Sequence, residues 1–320
     1  MKAVVYKRYG PPDVLSVQEI DKPTPKDDEV LVSVRAASIN SWDWDMIRGK
    51  PWIVRMWGLF QPSHQIPGAD IAGVVEATGP ECTRFKPGDE VYGDLNEVGW
   101  GGFAEYVSVP EKWLVKKPSF ITFEEAAAVP QAGLMALQAV RDKGELTAGQ
   151  SMLMIGAGGG VGTFALQLAR AAGGIVTAVD TDSKLDMLSS LGANEVIDYR
   201  KVDITKTTKK FDLIIDVVAR YPSSTYKRML NPGGKFLMIG GTMNAILQTM
   251  VFGKLVSDKD RRVGMLTYRT NKGLEDFEML LECGKVRVII DSVYPITEVR
   301  EAFRHYASAA FRGKVVISMR

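Results

Sequence analysis

Cysteine and histidine are nearly absent: Cys82, Cys283, His64 and His305 are all that 320 residues contain. Two thiols build neither a disulfide framework nor a four-thiolate zinc site, and neither histidine stands at ligand spacing from a cysteine. No apolar run approaches the roughly 18 residues of a membrane span, and the start MKAVVYKRYG has no signal-peptide core. An excess of one charge is lacking too. Lys and Arg total 40 against 38 Asp and Glu, and a net +2 is no field for a phosphate backbone or an anionic lipid surface. These absences predict a soluble, cytoplasmic protein with no nucleic-acid partner, no membrane span and no bound metal. What is present is a globular composition, 46% hydrophobic and 24% charged. The length suggests about two domains at roughly 150 residues each.

Residues 1–120 carry short alternating segments, among them EVLVSVRAASI, GADIAGVVEATG and GGFAEYVSV, cut by Gly-Pro and Pro-Gly turns. That texture predicts an all-β unit. Thr122 and Glu125 form a capping box ahead of EEAAAVP, and Pro130 interrupts the helix that follows. Strands and helices then alternate: SMLMIG, GVGTFALQLARAAG, IVTAVD, a helix over 183–191, EVID, FDLIIDVV, SSTYKRML closed by Asn231-Pro-Gly-Gly, and KFLMIGG. Alternation of this kind predicts a doubly wound parallel sheet. It stops near Val263. Helices over 274–283 and 299–306 and a closing strand KVVISMR follow, and that strand's period-two character ties it to the N-terminal unit. The expected division is a discontinuous domain of 1–122 with 264–320, and a dinucleotide-binding domain of 123–263.

The sharpest chemical signal is IGAGGGVGTFALQLARAAGGIVTAVD, a strand running through glycines into a helix. Gly159 and Gly162 take the second and third positions of G-x-G-x-x-G, with Ala157 in place of the first glycine. The loop Ala157, Gly158, Gly159, Gly160, Val161 and Gly162 lets backbone approach a pyrophosphate, and the helix N-terminus offers free N–H groups to the anion. Asp180 ends the next strand at roughly the 20-residue distance expected of a ribose-binding acid. Gly240 and Gly241 close the fifth strand, where missing side chains would admit a nicotinamide ring. The alternative for each glycine is a tight turn and nothing more.

The chain resembles the zinc-independent quinone oxidoreductases, the zeta-crystallin-like branch of the medium-chain dehydrogenase/reductase superfamily. The resemblance rests on ASINSWDWDMIRG, PGADIAGVVEATG, FKPGDEVYG, GGFAEYVSVP, AAAVPQAGLMALQAV, GAGGGVGTFALQLA, LGANEVIDY, NPGGKF and RGKVVI, in the family's order along nearly the whole chain. It implies an α/β protein with a GroES-like β domain, a Rossmann domain, an active-site cleft between them, and a homodimer or homotetramer. Zinc-dependent relatives use a Cys, a His and a Cys. Here Asn40 stands at the first position, Gly68-Ala69-Asp70 replaces the Gly-His-Glu stretch, and PQAGLM has no cysteine. No zinc is expected.

Without a Lewis acid, hydride transfer to a saturated ketone leaves its alkoxide unsupported, whereas a quinone or α,β-unsaturated carbonyl spreads the charge by conjugation. The expected activity is metal-free NAD(P)H-dependent reduction of such acceptors. The alternatives are an alcohol or aldehyde dehydrogenase of the same superfamily and a non-catalytic nucleotide-binding scaffold. Matching family positions make Asn40 and Asp43 the candidate catalytic residues, Asp43 through orientation of its loop. Lys184 and Tyr199 match the residues that hold the 2'-phosphate of NADPH, while Asp180 favours the free ribose of NADH, so either nucleotide fits. Lys314 matches a position near the cofactor. Trp42, Trp52 and Trp57 are candidates for an aromatic pocket or lid, or a docking surface, and Trp42 and Trp44 cannot share one helix face. Tyr268 and Lys272 match the Y-x-x-x-K of short-chain dehydrogenases, but Asn271-Lys272-Gly273 reads as a turn and the match as coincidence.

Overall fold

The computed structural model describes residues 1–319, apart from the side chains of Ile53 and Trp57. The chain begins with β1 (Lys2–Val5), β2 (Ser16–Glu19), β3 (Glu29–Ser38), α1 (Ser41–Arg48), β4 (Asp70–Thr78), β5 (Glu90–Asp94), β6 (Tyr106–Pro110) and β7 (Val115–Lys116). It continues through α2 (Phe123–Ala128), α3 (Pro130–Leu137), β8 (Ser151–Ile155), α4 (Gly160–Ala171), β9 (Ile175–Asp180), α5 (Leu185–Ser190) and β10 (Glu195–Asp198). Next come β11 (Phe211–Asp216), α6 (Ser223–Arg228), β12 (Leu230–Met238), α7 (Met243–Val256) and β13 (Arg262–Met265). The chain closes with α8 (Leu274–Glu282), β14 (Ile290–Pro295), α9 (Val299–Ala307) and β15 (Lys314–Ser318). It divides into two units, one of Met1–Ala132 with Thr270–Glu278 and the chain from Val288 on, the other of Gly133–Arg269 with Met279–Arg287.

The main sheet of the first unit runs β14-β15-β3-β4-β5-β7. β3 is its axis: β4 lies along one edge, while the other is shared by β6, opposite Glu29–Ser33, and β15, opposite Ala36–Ser38. The last strand of the chain thus pairs with the N-terminal unit, as its alternation predicts. α1 departs from the all-β reading. W-D-W-D alternates like a strand, but Asp43 accepts the Asn40 N–H at 2.8 Å, and Gly49 closes the helix at φ 62. Trp44 packs its ring 6.2 Å from Phe303 while Trp42 is 38% exposed, so the two tryptophans do face apart.

The second unit is a parallel sheet ordered β10-β9-β8-β11-β12-β13. Its inner strands β8 and β11 are apolar on both faces and almost wholly buried, the pattern of a sheet covered on both sides. β13 is a sixth parallel strand beyond the five read from the sequence. Four residues, RVGM, one exposed, one buried and two half-buried at the sheet edge, carry no periodic signal. Asn231-Pro-Gly-Gly lies inside β12 rather than ending a helix, absorbed by a register shift between Phe211 and Leu213 on β11. The strand order reverses between β8 and β11, the switch point beside which ligands of such sheets bind.

Candidate active site

Sheet register builds a row of polar residues in the first unit. Ser38 of β3 pairs with Asp70 of β4, and Asp70 with Asp94 of β5. Val316 lies opposite Ser38, so Lys314 falls opposite Asn40 two residues further along. All five are buried. Lys314 Nζ donates to Asn40 Oδ1 at 2.5 Å and stands 3.6 Å from Asp70 Oδ2. Asn40 Nδ2 donates to that same Oδ2 at 2.9 Å. The Ser38 hydroxyl at 3.3 Å and the Gln131 N–H at 3.2 Å complete the donors around Asp70. The Asn40 amide is therefore locked in one orientation, with its oxygen and one N–H spent and one N–H left for a ligand.

Asp43 has a supporting role. Its carboxylate accepts the N–H groups of Asn40 at 2.8 Å and Gly68 at 3.0 Å, tying the start of α1 to the 68 turn. Gly68 has φ 102, and a Cβ there would meet Phe103 N at 2.5 Å, so only glycine fits. Burial pushes the Asp43 carboxyl up to about 7, against the pull of its two backbone donors and of Lys314. Burial also raises Asp70, opposed by Lys314, and lowers Lys314, opposed by Asp70 and Asp43.

A raised carboxyl means that the folded state keeps a proton that the unfolded chain releases near pH 4. Stability from this group is full below that value and is lost as pH rises through about 7. The unfolding free energy of wild type relative to Asp43→Asn is expected to fall from pH 4 to 7 by several kcal/mol, at about 1.4 kcal/mol per pKa unit. Urea titrations at several pH values measure it, and a constant or rising difference contradicts it.

The side chains around Asn40 do not make a zinc site. Among the described residues no three His, Cys, Asp or Glu converge on one point. The groups at hand are an amide oxygen, a carboxylate and an ammonium, where borderline-soft Zn²⁺ takes thiolate and imidazole and is repelled by the cation.

In the second unit, β8 leaves the sheet through Gly156 at φ 78, one residue before the position given to Ala157 as the first of the motif. Ala157 is fully buried and its N–H goes to Val179 O at 3.2 Å, so it serves packing. Gly159 caps α4, and a Cβ there would find nothing nearer than Gly156 O at 3.7 Å. Gly162 is the opposite case: its Cβ would stand 2.4 Å from Gly156 O. One glycine keeps space open and the other permits helix and strand to touch. The first turn of α4, with Gly160 and Val161, presents its N–H groups beside that space.

Asp180 accepts the Gly158 N–H at 2.7 Å on one oxygen and the Thr181 N–H at 2.8 Å on the other. Lys184 is buried and not a surface cation. Its ammonium lies 3.5 Å from Asp180, and its stem lies where a Gly158 Cβ would stand, 2.4 Å from Cδ. Tyr199, 44% exposed, follows β10 where Asp198 pairs with Asp180, and Arg200 lies over its ring at 6.0 Å. Gly240 and Gly241 let the chain after β12 lie against Val217 and Ala219; their Cβ atoms would meet those carbonyl oxygens at 2.7 and 2.5 Å. Trp52 is exposed, and the Trp57 side chain lies outside the described residues. Tyr268 sits in irregular chain and Lys272 in a turn, so the Y-x-x-x-K pair is not on a helix.

The sequence reading passed over Ser38, Asp94 and Gln131 and treated Asp70 only as a lost zinc-site residue. Gln131 is buried and its Nε2 has no hydrogen-bond partner among the described residues, an uncommon state for a buried donor. A buried polar row at strand ends is invisible without the register, although two acids at strand ends, Asp70 and Asp94, were a usable hint.

A β unit with its buried polar row, joined to a parallel sheet whose glycine loop opens a helix, defines a dinucleotide-dependent dehydrogenase or reductase. Residues 26–119 match the alcohol dehydrogenase GroES-like domain and residues 191–317 the zinc-binding dehydrogenase family. The chain is 32% identical to a chloroplast envelope quinone oxidoreductase homolog of Arabidopsis thaliana, over 99% of this chain and 98% of that one. It is also 32% identical to an NADPH-dependent alkenal/one oxidoreductase of the same plant, over 99% of this chain and 79% of that one. The structure of the quinone oxidoreductase from Coxiella burnetii superposes with a TM-score of 0.91 at 27% identity, covering 100% of this chain and 99% of that one. The chain belongs to the quinone oxidoreductase branch of the medium-chain dehydrogenase/reductase superfamily. Among the described residues no helix is long and apolar enough to cross a membrane.

Proposed function

We propose that the protein reduces a quinone or α,β-unsaturated carbonyl with NADPH and without a catalytic metal. The observation that carries this is the Lys314 ammonium held against Asn40 and Asp70, a fixed cation where zinc-dependent relatives place their metal ligands. A bound nicotinamide dinucleotide supplies the hydride. Lys314 and Asp70 fix the Asn40 amide, whose remaining N–H donates to an oxygen of the ligand, and Asp43 holds the helix that carries it. Such an arrangement steadies a delocalised enolate or quinol oxygen but lacks the charge to support a localised alkoxide. The test is oxidation of NADPH by chelator-treated protein across quinones, enones and saturated aldehydes. Turnover of the first two alone is expected, and equal turnover of saturated aldehydes contradicts the reading.

The preference for NADPH is supported by Lys184. Asp180 already serves two backbone N–H groups, and the adjacent ammonium offsets the repulsion of a 2'-phosphate. Lys184→Ala is expected to weaken NADPH at least about fivefold, since a charge pair near 4 Å is worth roughly 1 to 4 kcal/mol. NADH should change by less than about threefold. Fluorescence titration of both nucleotides measures this, and equal losses would assign Lys184 to folding instead.

A homodimer is the association we favour. Two features of the second unit support it: among the described residues β13 ends the sheet with one edge unpaired, and α7 exposes Met250, Val251, Phe252 and Leu255 beside it. Sedimentation velocity reads it as twice the chain mass.

A further inference from the structure

The near-neutral net charge conceals a local imbalance. From residue 46 to 69 the chain has no acid but holds Lys50 and Arg55, besides Arg48, which pairs with Asp45, and from residue 1 to 12 it has no acid but holds Lys2, Lys7 and Arg8. The two stretches are fastened together: the Tyr9 hydroxyl donates to Gly58 O at 2.6 Å, and Arg55 reaches Gly49 O at 3.1 Å while lying over the Tyr9 ring. Lys7 lines a shallow groove with Leu59 and Phe60. On this platform Trp52 is 70% exposed, Met56 72%, Leu59 66% and Phe60 88%. Large apolar side chains bared to this degree are costly in water unless something covers them.

We propose that residues 50–60, with Lys7 and Arg8, dock on an anionic lipid surface, Leu59 and Phe60 entering the acyl boundary while the cations meet headgroups. Charge selects the occupant. A second copy in a two-fold contact would set Lys7, Arg8 and Lys50 against their own counterparts, which repels. The α7 face, with a single lysine in its 14 residues, carries no such penalty. A protein partner needs a matched pocket for each protruding side chain, whereas a fluid bilayer accepts them in any packing. Trp, Phe and Leu beside Lys and Arg are the composition of interfacial segments. Docking would bring the protein to the phase in which apolar quinones dissolve; that consequence alone rests on the function proposed above.

The experiment is co-sedimentation of the full chain with vesicles of phosphatidylcholine and phosphatidylglycerol in equal parts, and with phosphatidylcholine alone. Binding to the anionic vesicles, weakened by salt, is expected. Leu59→Ser with Phe60→Ser should weaken it at least tenfold, and Lys7→Gln with Lys50→Gln about twenty-five-fold, at about fivefold per charge. KM for a water-soluble enone should not change in either variant. Failure to bind, or equal binding to both vesicles, overturns the proposal. Binding to heparin or RNA but not to vesicles overturns it in favour of an acidic polymer. A KM that rises as vesicle affinity falls makes the segment a substrate lid. Sedimentation needs no turnover, so an inactive protein that docks would sink the reductase reading and leave this one standing.

Discussion

Lys314→Met is expected to destabilise the first unit by about 3–5 kcal/mol, the cost of leaving a buried charge without its partner. Asp70 would remain in the core with the cation gone and only hydrogen bonds to hold its charge, while burial keeps the proton on Asp43. All six tryptophans lie between residues 42 and 113, within the first unit, so tryptophan fluorescence in urea reports on that unit directly. The double variant Lys314→Met with Asp70→Asn should recover most of the loss, because two neutral side chains replace an orphaned charge. The penalty should also shrink at acid pH, where Asp70, already raised by burial, takes up a proton. A loss under about 1 kcal/mol, the size of an exposed pair, would mean that the row is hydrated and Lys314 is not its keystone.

Gly162→Ala and Gly159→Ala should separate the two uses of glycine in the loop. With its Cβ 2.4 Å from Gly156 O, Gly162→Ala forces the first turn of α4 off the glycine turn that follows β8. An overpacked contact costs about 1–3 kcal/mol, and nucleotide affinity should fall up to roughly a hundredfold along with the melting temperature. Gly159→Ala meets nothing closer than 3.7 Å within the protein and changes only the capping residue of α4, so the fold should lose no more than about 1 kcal/mol. Its methyl group stands where a pyrophosphate would approach, and affinity for NADPH should still drop at least tenfold. Calorimetric titration beside thermal melts checks both. If Gly159→Ala binds nucleotide like wild type, the loop is a packing device and the dinucleotide reading fails.

Local chemistry made much of this fold legible. The capping box at Thr122 is seen in both its bonds, Glu125 N–H to the threonine oxygen at 3.1 Å and Thr122 N–H to the glutamate at 2.9 Å. The order strand, glycines, helix, strand, acid put Asp180 at the end of β9, because each step is set by neighbours in the chain. What escaped was set by distant pairing. Ser38, Asp70, Asp94 and Lys314 come from four strands, and only the register brings them into a row. The burial of Lys184 escaped for a related reason, since a lysine on a short helix looks like surface until the glycine that makes room for its stem is found. β13 was too short to show a period. The basic stretches near residues 7 and 50 cancel in the net charge and stand out only once Tyr9 and Arg55 are seen to join them.

The most direct test of the central claim follows the hydride itself. Protein stripped with chelator, its residual metal measured, is given NADPH carrying deuterium at the transferable C4 position together with an α,β-unsaturated ketone. The account predicts deuterium at the β-carbon of the reduced product, at a rate indifferent to added zinc. A rate that vanishes with the metal and returns with it, or label found at the carbonyl carbon of an allylic alcohol instead, would contradict it.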